Sequence, residues 1–137
     1  MMLGAVTSRV SDWSPLSGPA PEPEVTFDEA FQLLRNSRRR HVAEYLADLE
    51  PGETVSVGEL TIYIASLEFD VEPDIVSARQ KKTVRSALHQ THLPKLDEMG
   101  VIEYDQRASE VTRSSDVEAL TAVIASAREQ FPVGEYR

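Results

Sequence analysis

His89 and His92 stand three residues apart in a stretch of helical character. Two imidazoles at that spacing share one side of a helix and can hold a metal if further ligands converge on them. The nearest carboxylates in the sequence, Asp97 and Glu98, fall at poor helical spacing from His89. The expectation is therefore no metal, with His92 packed at the core edge and His89 facing solvent or a polyanion. His41 follows Arg38, Arg39 and Arg40, whose like charge opposes its protonation. Cysteine is absent, which removes disulfides, thiolate ligands and thiol nucleophiles together. No glycine-rich phosphate loop, no placeable Ser–His–Asp set and no carboxylate pair in an apolar setting occurs. An enzyme is not expected, and neither is a cofactor.

The bases carry more. The chain has 14 Lys and Arg against 23 Asp and Glu, a net charge of −9 over 137 residues. Two windows run against that balance. Ile75–Leu96 holds Arg79, Lys81, Lys82, Arg85 and Lys95 and no acid. Arg35–Ala43 holds Arg35, Arg38, Arg39 and Arg40 and no acid. All 23 acids lie outside them. Lysine is scarce beside arginine, and an acid-rich, lysine-poor chain suits a cytoplasm of very high salt. At ~1 M salt the Debye length is about 3 Å, so steering at a distance fails and counterion release contributes less. Recognition there must rest on close contacts, such as bidentate arginine on guanine or phosphate.

These windows sit in a readable order of elements. Residues 1–25 hold Pro15, Pro19, Pro21 and Pro23 without periodicity, and read as a disordered tail in which Trp13 stands alone. Thr26 with Glu29 has capping-box spacing and opens a helix over 27–35. Ser37 is placed to cap a second helix over 38–49, and Pro51-Gly52 stops it. Thr54–Val57 reads as a short strand. A third helix spans 57–68. Residues 69–76 form an acidic loop. A long helix covers 77–99 up to Gly100, with Pro94 as a kink or restart. Residues 101–113 make a hairpin around Gln106–Ser109. Ser115-Asp116 caps a last helix over 116–130. The fold expected is mainly α with a small β-hairpin: a tail 1–25, a winged helix-turn-helix domain 26–113 and a C-terminal helix in 114–137. No apolar run reaches the ~18 residues of a membrane span, and no signal peptide is read at the N-terminus, which leaves a soluble, cytoplasmic protein.

In a winged helix the second helix of the pair enters a DNA groove. Here that helix spans 77–92, inside the more basic window. At about 100° per residue, Arg79, Lys82, Ser86, His89 and Gln90 share one stripe with Arg85 at its edge, while Val84, Leu88, Leu96 and Met99 share another. Leu93 falls on the polar stripe, an anomaly that a restart at Pro94 would remove. Arg107 at the hairpin tip is expected on a phosphate or in the minor groove. Arg38, Arg39 and Arg40 are expected on the flanking backbone. Tyr45, Tyr63 and Tyr104 read as core.

Three segments also resemble a family. HQTHLPKLDEMGVIEYD at 89–105, LLRNSRRRHVAEYL at 33–46 and ETVSVGEL at 53–60 are similar to a haloarchaeal winged-helix domain family of largely uncharacterised function. The resemblance spans about residues 27–105 and implies a transcription regulator. More distantly, His92–Leu96 followed by Glu98–Ile102 resembles the end of the recognition helix in ArsR-type repressors. Those often sense metals through cysteines, which this chain lacks.

Two functions follow as expectations. The first is a regulator binding double-stranded DNA, as a homodimer through 116–131, where Val117, Leu120, Ile124, Ala127 and Phe131 recur at heptad spacing. The second is a winged-helix protein-interaction module, favoured by the acidity. Burial of the 79–89 face by the same chain would exclude the first.

Overall fold

The computed structural model describes residues 22–132. Helices α1 (Phe27–Leu34) and α2 (Ser37–Ala47) lead into strand β1 (Thr54–Ser56) and helix α3 (Val57–Phe69). A single 3₁₀ turn (Pro73–Ile75) precedes helix α4 (Ala78–Ala87), which continues through a π turn (Leu88–His92) into α5 (Leu93–Glu98). Strands β2 (Ile102–Asp105) and β3 (Glu110–Arg113) form the hairpin, and α6 (Asp116–Gln130) closes the domain. The fold is a winged helix-turn-helix with an added C-terminal helix. The turn of the pair is the 3₁₀ segment between α3 and α4. Strand β1 joins the hairpin as an edge, giving an antiparallel sheet in the order β1–β3–β2, with Val55 and Tyr104 both opposite Val111.

Local signals explain most boundaries. Thr26 Oγ1 accepts from the Glu29 N–H at 3.2 Å, and Glu29 Oε1 accepts from the Thr26 N–H at 3.0 Å. The cap of α2 is Asn36 rather than Ser37: its Oδ1 accepts from the Arg38 N–H at 2.9 Å and, more weakly, the Arg39 N–H. Asparagine caps as well as serine does, and it sits one residue earlier. Gly100 ends α5 with φ +81°, a conformation that glycine takes without strain.

The π turn accounts for Leu93. Its N–H bonds to the Leu88 carbonyl five residues back. One extra residue in a turn retards everything downstream by about 100°. Leu93 thereby leaves the polar stripe and is fully buried with Leu88 and Leu96. Pro94 follows in the first turn of the restarted helix, where a missing N–H costs nothing.

Three arginines cap helices to which they do not belong. Helices α1 and α2 have no base in their own last turns. Arg39 Nε donates to the Leu33 carbonyl at 2.7 Å and its Nη2 to Gln32 at 3.1 Å, while Arg40 Nη1 donates to Leu34 at 2.6 Å. Arg113 Nη1 reaches Leu46, Ala47 and Leu49 at the end of α2. Helix C-terminal carbonyls lack intrahelical donors and carry the negative end of the dipole, so a guanidinium satisfies both needs.

Helix α6 packs along α2 and touches α1. Val117, Leu120 and Ile124 are buried in this one core, whereas Ala127 and Phe131 are exposed. The five-residue seam expected to serve a homodimer is therefore mostly intramolecular packing. The N-terminal boundary also shifts. Buried Asp116 accepts from the Glu24 N–H at 2.9 Å and the Val25 N–H at 3.1 Å, so residues 24–25 belong to the folded part. The rest of the expected tail, residues 1–21 with Trp13, lies outside the described residues. Asp116→Ala is expected to cost about 2 kcal/mol, since it removes two charge-assisted bonds. Denaturant titration measures it. A chain shortened to begin at Thr26 should lose a similar amount, because it strands the same buried carboxylate. A loss below about 0.5 kcal/mol in both would show that the clamp contributes little.

Candidate nucleic-acid interface

The polar side of α4 is held outward by its own ends. Ser77 Oγ accepts from the Gln80 N–H at 3.1 Å and Gln80 Oε1 accepts from the Ser77 N–H at 3.0 Å, a complete capping box. Val84 and Leu88 are fully buried and fix the rotation of the helix. Arg79, Lys81, Lys82 and Arg85 are all exposed. Among the described residues none of the four enters an ion pair. Among the described residues no other element covers the Arg79–Arg85 part of this face, and only its His89 end meets the wing. Ser86 is half-buried and Gln90 exposed on the same side. Thr83 belongs there too. It is exposed, and its hydroxyl donates to the Arg79 carbonyl at 3.0 Å, which leaves its methyl outward. The stripe spacing places it between Arg79 and Ser86, a position the sequence reading passed over, as it did Lys81 beside the stripe.

The two histidines part company. His89 Nδ1 hydrogen-bonds the Tyr104 hydroxyl on β2, with ring centroids 5.9 Å apart. Burial and the neighbouring Arg85 charge lower its pKa, and burial raises that of Tyr104. His89 is thus a bracket between the helix and the wing rather than an open base-reader. His92 is buried, and its Nδ1 accepts from Arg39 Nη1 at 3.2 Å. Burial first, then the Arg39 and Arg38 charges, push its pKa down to about 4. The two rings turn to different partners and share no ligand position.

The second basic window is a correction. Arg38 makes a bidentate pair with Glu68, Nε to Oε1 at 2.7 Å and Nη2 to Oε2 at 2.6 Å, tying α2 to α3. Arg39 is buried, with its donors on α1 carbonyls and His92. Arg40 is half-buried on the Leu34 carbonyl. None of the three is a free contact for a phosphate backbone. Arg39 cannot be one at all, since its guanidinium is enclosed. Only Arg35 of that window is exposed and outside any ion pair among the described residues.

The wing tip is mixed in sign. Arg107 is exposed in the turn, but a shallow cleft beside it is lined by Asp97, Glu103, Asp105 and Glu110. The surface is therefore a basic ridge along α4 bounded by an acidic wing. The ridge presents the positive charge of this face, and of the named wing-tip charges Arg107 alone shares its sign.

A family model described as a domain of unknown function (DUF7344) matches residues 31–112, which run from the middle of α1 to β3. No curated protein matches the chain. No solved structure matches it either.

Proposed function

The chain belongs to the DUF7344 domain family, and we propose that it is a DNA-binding transcription regulator that reads double-stranded DNA with α4. The observation that carries the reading is the exposed Arg79, Lys82 and Arg85 on the second helix of the helix-turn-helix, outside any ion pair among the described residues. Arg79, Lys82, Thr83 and Ser86 take the base-edge positions. Lys81 and Arg85 take the phosphates on either side. The acid-rich, lysine-poor composition and the resemblance of 89–105 to haloarchaeal winged-helix domains support a regulator working in a halophile's cytoplasm. A two-fold pair of such domains would suit a palindromic site.

The acidic wing favours a second reading, a protein-interaction module, because Glu103, Asp105 and Glu110 oppose a polyanion. Genome-wide immunoprecipitation of the tagged chain separates the two. Sharp promoter-centred peaks are expected. Purified protein should then bind those fragments with an affinity that falls as salt rises, at a slope of roughly three to four phosphate contacts. A flat immunoprecipitation profile together with no binding to any recovered fragment selects the interaction module.

A further inference from the structure

Helix α1 has an outward face that the described residues leave bare. At about 100° per residue, Phe31, Arg35 and Asp28 fall within one arc of about 60°, with Phe27 and Leu34 at its flank and Leu33 opposite. Exposure agrees: Phe27 is 77% and Phe31 51% exposed, while Leu33 is fully buried. The two phenylalanine rings meet edge to face with centroids 4.8 Å apart. Next to them an open, mainly apolar cleft of about 360 Å³ lies between α1 and α6, walled by Phe31, Phe131 and aliphatic residues of both helices, with Arg35, Arg40 and Arg128 also in its lining. Phe131 is itself 68% exposed. Phe31 and Phe131 in the cleft wall, with Phe27 against Phe31, make an exposed aromatic patch that isolated surface residues do not explain.

We infer that this face joins two copies of the chain, with α1 lying antiparallel to α1 of the second copy about a two-fold axis beside Phe31. The charges single out this occupant. Asp28 and Arg35 are seven residues apart, two turns along one line of the helix, with Phe31 midway. An antiparallel two-fold sets each Asp28 against Arg35 of the other copy and brings the two Phe31 rings together at the axis. A parallel pairing would set like charges opposite each other. Neither Asp28 nor Arg35 enters an ion pair among the described residues. Burial first, and then the nearby Arg35 charge, lower the pKa of Arg39. A carboxylate delivered to Arg35 relieves that repulsion within each copy. Self-complementarity of this kind, the same patch serving as both halves, defines an isologous contact. The interface rests on α1 and the Phe131 end of α6, not on the buried Val117–Ile124 seam. The inference does not depend on the DNA reading, and no DNA enters its test.

Light scattering of the full chain at about 50 μM should give a dimer. Asp28→Arg and Arg35→Asp should each raise the dimer dissociation constant by roughly tenfold or more. The double variant D28R/R35D remakes both pairs with the signs exchanged and should return to within about threefold of the natural chain. Phe31→Asp should give a monomer. Circular dichroism melting on each sample establishes that the monomers are folded. A natural chain that is monomeric at ~100 μM overturns the inference. So does a folded double variant no better than the single ones, or a folded Phe31→Asp that still dimerises. Octanoate raising the melting temperature of a monomeric natural chain would give the cleft to a small apolar acid instead.

Discussion

Arg79→Glu combined with Lys82→Glu is expected to abolish specific DNA binding and leave the melting temperature unchanged. Both side chains are exposed and outside any ion pair among the described residues, so neither holds the fold. Each base-edge or phosphate contact is worth about 1–3 kcal/mol, and reversal replaces attraction by repulsion. The double variant should therefore lose about 3–6 kcal/mol, roughly 10²–10⁴-fold in affinity. Fluorescence anisotropy on a fragment recovered by immunoprecipitation reads the loss, and a melt on the same sample checks the fold. Lys81→Ala, beside the stripe, should instead weaken all sequences alike and lower the salt slope by about one. Undiminished affinity in the double variant would remove α4 from the contact surface.

Arg39→Ala should be strongly destabilising, by about 2–4 kcal/mol, because it strands several hydrogen-bonding groups at once. It leaves the Gln32 and Leu33 carbonyls and His92 Nδ1 without their donor, all at one buried corner of α1, α2 and the π turn. Arg39→Lys should recover only part, because one ammonium cannot span three acceptors held by a planar fork. Equilibrium denaturation decides both, and a cost for alanine below about 1 kcal/mol would mean that water replaces the guanidinium. The same corner sets the acid response. The pKa of His92 is about 4 in the folded state against an ordinary value near 6.5. The unfolded chain therefore binds the proton more tightly between these values, so stability is full above pH ~6.5 and falls as pH drops towards ~4. His92→Gln should flatten the pH dependence in that window. An unchanged slope would place the acid response on the carboxylates.

The capping box at Thr26, the stop at Gly100 and the core stripe of α4 were legible because each is fixed by residues within one or two turns. The role of the Arg35–Ala43 window was not. A run of arginines looks the same whether it meets water or carbonyls. Arg39 and Arg40 find theirs six residues back on another helix, and Arg113 finds its own more than sixty residues back. Heptad spacing in α6 announced a buried face without saying whose core buries it. The wing's acidity was present in Glu103, Asp105 and Glu110, but hairpin geometry was needed to gather them around Arg107. Leu93 on the wrong stripe was the one local inconsistency, and it marked the π turn. In the candidate site, Arg79, Lys82, Arg85 and Gln90 are open as expected. His89 is engaged by Tyr104, a contact across 15 residues that no spacing rule reaches.

That π turn also bears on how the domain can change over descent. It holds one residue more than a regular turn needs, so deleting a single residue from His89–Thr91 closes it as plain α-helix. Leu93 then lies about 40° from the direction of Leu88 and still points inward, as does Leu96. The turn is thus a place where chain length can drift without exposing the core. The helix upstream, held by buried Val84 and Leu88, and the helix downstream, held by Leu93 and Leu96, both keep their facing. A lineage could lose one residue here and keep the face of α4 as it is, where the same event elsewhere in the helix would turn its apolar side to water.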